Sequence, residues 1–204
     1  ARTTFAKNIK TVLEKNKLDG IDLDFEWAEN EKEYKDYSLA ILKMREVLGD
    51  KYLFSVSLHP VCYKISKEAI EAVDFISLQC YGPSPVRFPI EKYCSDIQMV
   101  LEYGIPKEKL VAGVPFYGVT KDNSKKTEAY FNFVQNGLVT SPAQNEVIYQ
   151  GDTYVFDGQD NIRIKTRYAK EQKLKGMMSW DLATDLPLSD SRALLKTMTE
   201  ELRE

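Results

Sequence analysis

The sequence has a single histidine, His59, in 204 residues. With one imidazole and no Cys/His cluster, it lacks the ligands of a zinc-based catalytic centre. Its cysteines, Cys62, Cys80 and Cys94, are odd in number and follow no metal-ligand spacing, which argues against both a metal site and a disulfide framework. Cys80 lies in an apolar run and reads as a buried thiol. No apolar stretch approaches the ~20 residues of a membrane-spanning helix. No secretory signal is visible at Ala1-Arg2-Thr3-Thr4, a start that reads as the middle of a domain and so says little about a leader. Neither sign of charge is in excess. Lys and Arg total 28, Asp and Glu 31, for a net charge of -3, and the two signs are interspersed. That balance gives no reason to expect nucleic acid or an anionic membrane as partner. Internal repeats and low-complexity tracts are missing too.

What is present suits a globular protein: 43% hydrophobic residues and a mean hydropathy of -0.39. The length allows one domain with a sizeable core, or at most two small ones. The most informative stretch is Asp19-Gly20-Ile21-Asp22-Leu23-Asp24-Phe25-Glu26-Trp27. It alternates acidic and large apolar residues at period two, so a strand over 20–27 places Asp22, Asp24 and Glu26 on one face and Ile21, Leu23 and Phe25 on the other. Three carboxylates in a row repel one another and are costly to bury without partners or shared protons. Three readings are open on this pattern alone: a solvated acidic edge strand, an oxygen-ligand cation site, and a catalytic carboxylate cluster.

The rest of the chain alternates helix and strand. Phe5, Ile9, Val12 and Leu13 mark a helix face, with Leu18 closing that helix. Tyr34, Tyr37, Ile41, Met44 and Leu48 recur at helical spacing. Strands are expected at 52–58, 73–81, 110–117 and 177–182, and further helices at 66–72, from Ile90 to Gly104, and after Ser189. Gly82-Pro83-Ser84-Pro85 is a loop. The polar segment 120–160, with turns at Asn136-Gly137, Gly151-Asp152 and Asp157-Gly158, reads as an insertion, and 161–173 as a helix or a hairpin arm. Five strand-helix alternations predict parallel βα units, and functional groups at a strand's C-terminal end are the anatomy of an α/β-barrel site.

Asp19, Gly20, Asp22, Asp24 and Glu26 match without a gap the Asp-Gly-x-Asp-x-Asp-x-Glu signature of glycoside hydrolase family 18, the chitinases and endo-β-N-acetylglucosaminidases. The resemblance runs over nearly the whole chain. The acidic strand resembles that family's fourth barrel strand, Gln79-Cys80-Tyr81 the end of its sixth, Val111 to Gly118 its seventh, and Met177-Met178-Ser179-Trp180-Asp181 its eighth. It implies a (β/α)8-barrel fold of which this chain carries strands four to eight, within one domain spanning 1–204 and interrupted at 120–160. Strands one to three have no counterpart here, and a whole barrel of this kind takes about 250 residues. A longer product, another polypeptide or self-association is expected to supply them. Gly82 stands where many members place an Asp, and Val119 where an Arg is frequent.

A carboxyl held beside apolar groups and a second carboxylate can keep its proton for a leaving glycosidic oxygen. Glu26, last in the series and next to Trp27, is the expected general acid/base. The resemblance implies that the substrate's own N-acetyl oxygen is the nucleophile, with Asp24 orienting the acetamido N–H, Asp22 sharing charge and a proton with Asp24, and Tyr81 bonding the acetamido oxygen. Trp180 would stack under a sugar ring, and Gln79, Trp27 and Tyr117 are candidates to line the cleft; apart from the resemblance, Trp180 and Tyr81 also read as core-packing aromatics. His59 ends a strand, within reach of a ligand, but a lone histidine is more often structural. The expected function is hydrolysis of β-1,4 bonds in N-acetylglucosamine-containing glycans, with no metal or organic cofactor. A non-catalytic glycan-binding lectin and an inactive fragment are the rivals. The resemblance also implies a secreted or cell-surface location.

Overall fold

The computed structural model describes residues 1–203. In chain order the elements are α1 (Arg2–Asn16), β1 (Gly20–Asp24), α2 (Glu31–Leu48), β2 (Leu53–Leu58), α3 (Lys67–Ala72), β3 (Phe75–Leu78), α4 (Ile90–Tyr103) and β4 (Leu110–Pro115). They continue with β5 (Tyr117–Thr120), β6 (Thr127–Ala129), α5 (Tyr130–Gln135), β7 (Glu146–Tyr149), β8 (Asp152–Val155), α6 (Gln159–Glu171), β9 (Gly176–Trp180) and α7 (Leu194–Arg203). Local signals set several boundaries. The Asn30 side chain accepts the Glu33 amide at 3.1 Å to start α2, and Ser66 caps α3 through the Ala69 amide. Segment 161–173, open between helix and hairpin, falls almost wholly in α6, which buries Ile162, Lys165, Thr166 and Ala169.

The main sheet has the order β1-β2-β3-β4-β9, and every neighbouring pair is parallel. All five C-terminal ends therefore lie on one rim. Register and period two divide each strand between two faces. Phe54, Val56, Leu58, Ile76, Leu78, Leu110, Ala112 and Val114 form the outer set and are buried in the core with the helices. The inner set is Asp22, Asp24, Ser55, Ser57, Ser77, Gly113 and Met178, brought side by side by the pairing. Gly20 sits where β1 meets β2 so closely that a Cβ would stand 2.2 Å from the Leu53 carbonyl oxygen. The glycine of the acidic motif is thus a packing requirement of the strand start.

The opposite rim is stitched by two cations. Arg45, on α2, donates to the carbonyls of Gly49, Tyr52 and Ala72 and to the Asp74 carboxylate at 2.7–3.1 Å, and Asp74 also accepts the Phe54 amide. Lys109, just before β4, donates to the carbonyls of Ile70, Glu71 and Val73. These bonds join α2, α3, β2, β3 and β4 at the ends away from the acidic motif.

Four sequence expectations need correction. The strands are shorter than their apolar patterns, ending at Asp24, Leu78, Pro115 and Trp180, because the patterns run on into rim segments where pairing stops. Beyond β3 and β4 a single bond continues it, Gln79 N–H to the Leu58 carbonyl and Phe116 N–H to the Trp180 carbonyl, both at 2.8 Å. Glu26, Trp27, Gln79 and Tyr81 thus lie just beyond strand ends. Tyr117 does not end β4; it opens β5. On α1, Ala6 and Leu13 are buried, whereas Phe5 and Val12 are exposed. On β1, Phe25 is exposed as well, and with Phe5, Leu23 and Tyr37 it lines an apolar groove of about 290 Å³ beside the edge strand.

The segment between β4 and β9 holds a second, antiparallel sheet, β6-β5-β8-β7. The Phe133 ring of α5 packs against Tyr149, Tyr154 and Phe156, with centroids 5.4–5.8 Å apart. Just past β8, Asp157 pairs with Lys165 of α6 at 2.5 Å, both side chains fully buried. Asn161 also donates to Asp157, and the Lys165 ammonium lies 5.5 Å from the Tyr93 ring centroid and 6.0 Å from that of Phe88. Burial pushes the Asp157 carboxyl up, and Lys165 and Asn161 oppose that shift. Removing one partner strands the other charge in the core. Lys165→Met should therefore cost about 3–5 kcal/mol in urea denaturation, and Lys165→Met with Asp157→Leu should recover most of it. A single variant as stable as the parent would show that the pair is not buried in solution.

Candidate active site

Five strand ends on one rim bring most of the sequence-predicted residues to one place. Asp24, Glu26, Trp27, Gln79, Tyr81, Tyr117 and Trp180 line a single cleft of about 230 Å³, together with His59, Gly82 and Pro83. Asp22 is not on its wall. One layer deeper, Asp22 accepts the Ser55 hydroxyl at 2.5 Å and the Ser57 hydroxyl at 2.7 Å. Asp24 accepts both of its hydrogen bonds from the Gln79 amide nitrogen, at 3.2 and 3.3 Å.

Burial is the largest cause that raises the Asp24 carboxyl above the usual range. The neighbouring charges of Glu26 and Asp22 add to it, and the Gln79 amide opposes it. Two carboxylates on the strand and a third just past its end thus have different settings: Asp22 is held by two hydroxyls, Asp24 by one amide under electrostatic pressure, and Glu26 stands at the mouth. Tyr81 is 6% exposed, and burial pushes its phenol up, as it does that of Tyr117. Among the described residues, the Tyr81 hydroxyl has only the Met178 sulfur as acceptor, at 3.6 Å. The Tyr81 and Tyr117 rings meet edge to face at 6.5 Å, and Phe88 backs Tyr117 at 6.4 Å. Trp180, in contrast, is 55% exposed, an open aromatic face rather than core packing.

Sequence reasoning missed or underrated three contributors. His59 was read as structural, yet it lies on the cleft wall. Gly113 faces Tyr81: a Cβ there would stand 2.8 Å from both the Leu78 carbonyl oxygen and Tyr81 Cε1. The Glu26–Trp27 and Trp180–Asp181 peptide bonds are cis, which no composition or period signals. Among the described residues, no group of three or more His, Cys, Asp or Glu is arranged to hold a metal ion.

The sequence profile of Glycosyl hydrolases family 18 matches residues 1–185. The chain belongs to that family. Curated relatives within it include Probable chitinase 2 of Drosophila melanogaster, 23% identical over 90% of this chain and 51% of that protein. Among solved structures, a family 18 chitinase of Flavobacterium johnsoniae superposes with a TM-score of 0.79 at 27% identity, over 97% of this chain and 64% of that one. A chitinase-like agglutinin of Robinia pseudoacacia shares the fold at a TM-score of 0.80 and 19% identity, over 98% of this chain and 72% of that one. The chain spans about half the length of its Drosophila relative. Its parallel sheet is accordingly part of a family 18 TIM barrel.

Two outcomes follow from this family 18 cleft. Because the folded state raises the Asp24 carboxyl, stability present below the usual carboxyl range is lost as pH rises through the raised value. Asp24→Asn removes that loss. Its melting temperature relative to the parent should be higher at pH 7 than at pH 3, and an equal difference at both would refute the assignment. Gly113→Ala should cost about 1–3 kcal/mol in thermal unfolding, because the Leu78 main chain cannot yield and Tyr81 must move. An unchanged melting temperature would mean that the approach is looser than described.

Proposed function

We propose that this protein hydrolyses β-1,4 bonds in N-acetylglucosamine-containing glycans with retention of configuration, using the substrate's acetamido group as nucleophile. The observation that carries this is the make-up of the cleft: Asp24 and Glu26 are the two carboxylates on its wall, beside Tyr81 and the open face of Trp180. Glu26 gives its proton to the leaving glycosidic oxygen while the acetamido carbonyl oxygen attacks the anomeric carbon. The leaving alcohol departs and a cyclic oxazolinium remains. Asp24 accepts the acetamido N–H and stabilises the positive charge on that ring. Glu26, now a carboxylate, takes a proton from the water that opens the ring.

The surroundings support these roles. Gln79 orients Asp24 through a hydrogen bond shared by both carboxylate oxygens, and a carboxylate has lone pairs to spare for an acetamido N–H. Among the described residues the Tyr81 hydroxyl has only a weak sulfur acceptor, so a substrate carbonyl is a better partner. Trp180 offers an aromatic surface to the apolar C–H face of a pyranose. Charge clustering serves the chemistry rather than the fold, which fits the strain on Asp24.

A chromogenic chitobioside tests the reading. Glu26→Gln should lower turnover by about a hundred- to ten-thousandfold and leave oligosaccharide binding in place. A thiazoline mimic of the cyclised intermediate should inhibit. Trapping a covalent glycosyl ester on an enzyme carboxylate would refute substrate assistance. Tight binding of chitooligosaccharides with no cleavage by the parent would make the protein a glycan-binding lectin instead.

A further inference from the structure

His59 is buried to 7% exposure at the point where three segments of the cleft wall meet. Its Nε2 lies 3.0 Å from the Tyr81 carbonyl oxygen, and its Nδ1 accepts the Val61 amide at 3.3 Å. A carbonyl accepts only and an amide N–H donates only, so the two partners together assign the proton to Nε2. The ring also meets Trp27 edge to face, with centroids 4.9 Å apart, and Trp27 directly follows Glu26. Burial and the Arg87 guanidinium hold the imidazole pKa below its ordinary value, which keeps the ring uncharged.

The residues that His59 touches are the ones on which catalysis would depend. The Gln79 amide still bonds the Leu58 carbonyl at 2.8 Å, and Tyr81 lies two residues further on, past the end of β3. Trp27 and Glu26 lie past the end of β1. The imidazole anchors the first segment through a hydrogen bond and the second through ring packing. We propose that His59 is a positioning residue that fixes Tyr81 and the Glu26–Trp27 segment relative to each other, with its proton on Nε2. The inference rests on the hydrolytic reading above for its kinetic consequence, but not for its geometry.

Three variants and one spectrum decide it. His59→Phe keeps a ring against Trp27 and removes the donor to Tyr81. His59→Gln loses the ring but places an amide N–H at the same reach as Nε2. With a chitobioside substrate, kcat of His59→Phe should fall by about tenfold to a hundredfold, with a much smaller change in KM. His59→Gln should recover most of that loss. If His59→Phe does not fold, His59→Asn, whose amide is one carbon too short to reach Tyr81, takes its place against His59→Gln. Wild-type kcat in the donor-less variant, or no recovery in His59→Gln, overturns the proposal. Because His59 is the chain's only histidine, the 15N spectrum of the imidazole is free of overlap. A protonated Nε2 with a bare Nδ1 is the expected result, and a proton on Nδ1 overturns the assignment. The spectrum also separates the two readings: a parent that cleaves nothing refutes the hydrolytic function, while the tautomer still tests the His59 geometry.

Discussion

The parallel ladder is the constraint on which the rest of this structure depends. Five strands paired in one direction, β1-β2-β3-β4-β9, must end on the same side, so residues as far apart in sequence as Asp24 and Trp180, the last of β1 and of β9, end up on one rim. The carboxylates of β1, the amide and phenol beyond β3, and the indole ending β9 converge without any contact designed to bring them together. The connecting helices cover the outer face, where the large apolar residues lie, and leave the inner face mostly to small and polar side chains, with Met178 the exception. Division of labour between the two faces follows from the period-two alternation of each strand.

Much of this was legible in the sequence. Helix and strand periodicities gave the five parallel units in their spatial order, and the acidic motif located the cleft. The parts that escaped have physical reasons. Strand ends were set too late because Glu26 and Tyr81 keep the alternating pattern past the last bond to the neighbouring strand, which beyond β3 is that of the Gln79 amide to Leu58. Phe5 and Val12 fit a helical stripe, but a stripe does not tell which part of it meets a partner surface. Lys165 looks like one more solvated cation on a polar helix; its burial depends on Asp157, which arrives from another element. His59 was underrated because its decisive partner is the main-chain carbonyl of Tyr81, and main-chain acceptors leave no trace in a residue pattern.

The two kinds of charge cluster in this molecule have opposite logic. Asp157 and Lys165 neutralise each other out of water, with Asn161 completing the set. No buried side-chain nitrogen or oxygen among the described residues lacks a partner. Asp22, Asp24 and Glu26 carry one sign and open to solvent, relieved by hydroxyls and an amide rather than by a counter-ion. The first arrangement joins the second sheet to the barrel and is silent in chemistry. The second costs the fold something and keeps a carboxylate responsive to whatever enters the cleft.

The rim opposite the cleft has its own consequence. Apart from Asp74, the acceptors of Arg45 and Lys109 are backbone carbonyls, and every amino acid carries one. Substitution at Gly49, Tyr52, Ile70, Glu71, Ala72 or Val73 leaves the acceptor itself in place so long as the main chain keeps its path. Two cations thus secure the base of the sheet while exempting six neighbouring positions from supplying any particular polar side chain. What restricts those positions is packing, since Tyr52, Ile70 and Val73 are buried in the core, and not the fastening of the two cations.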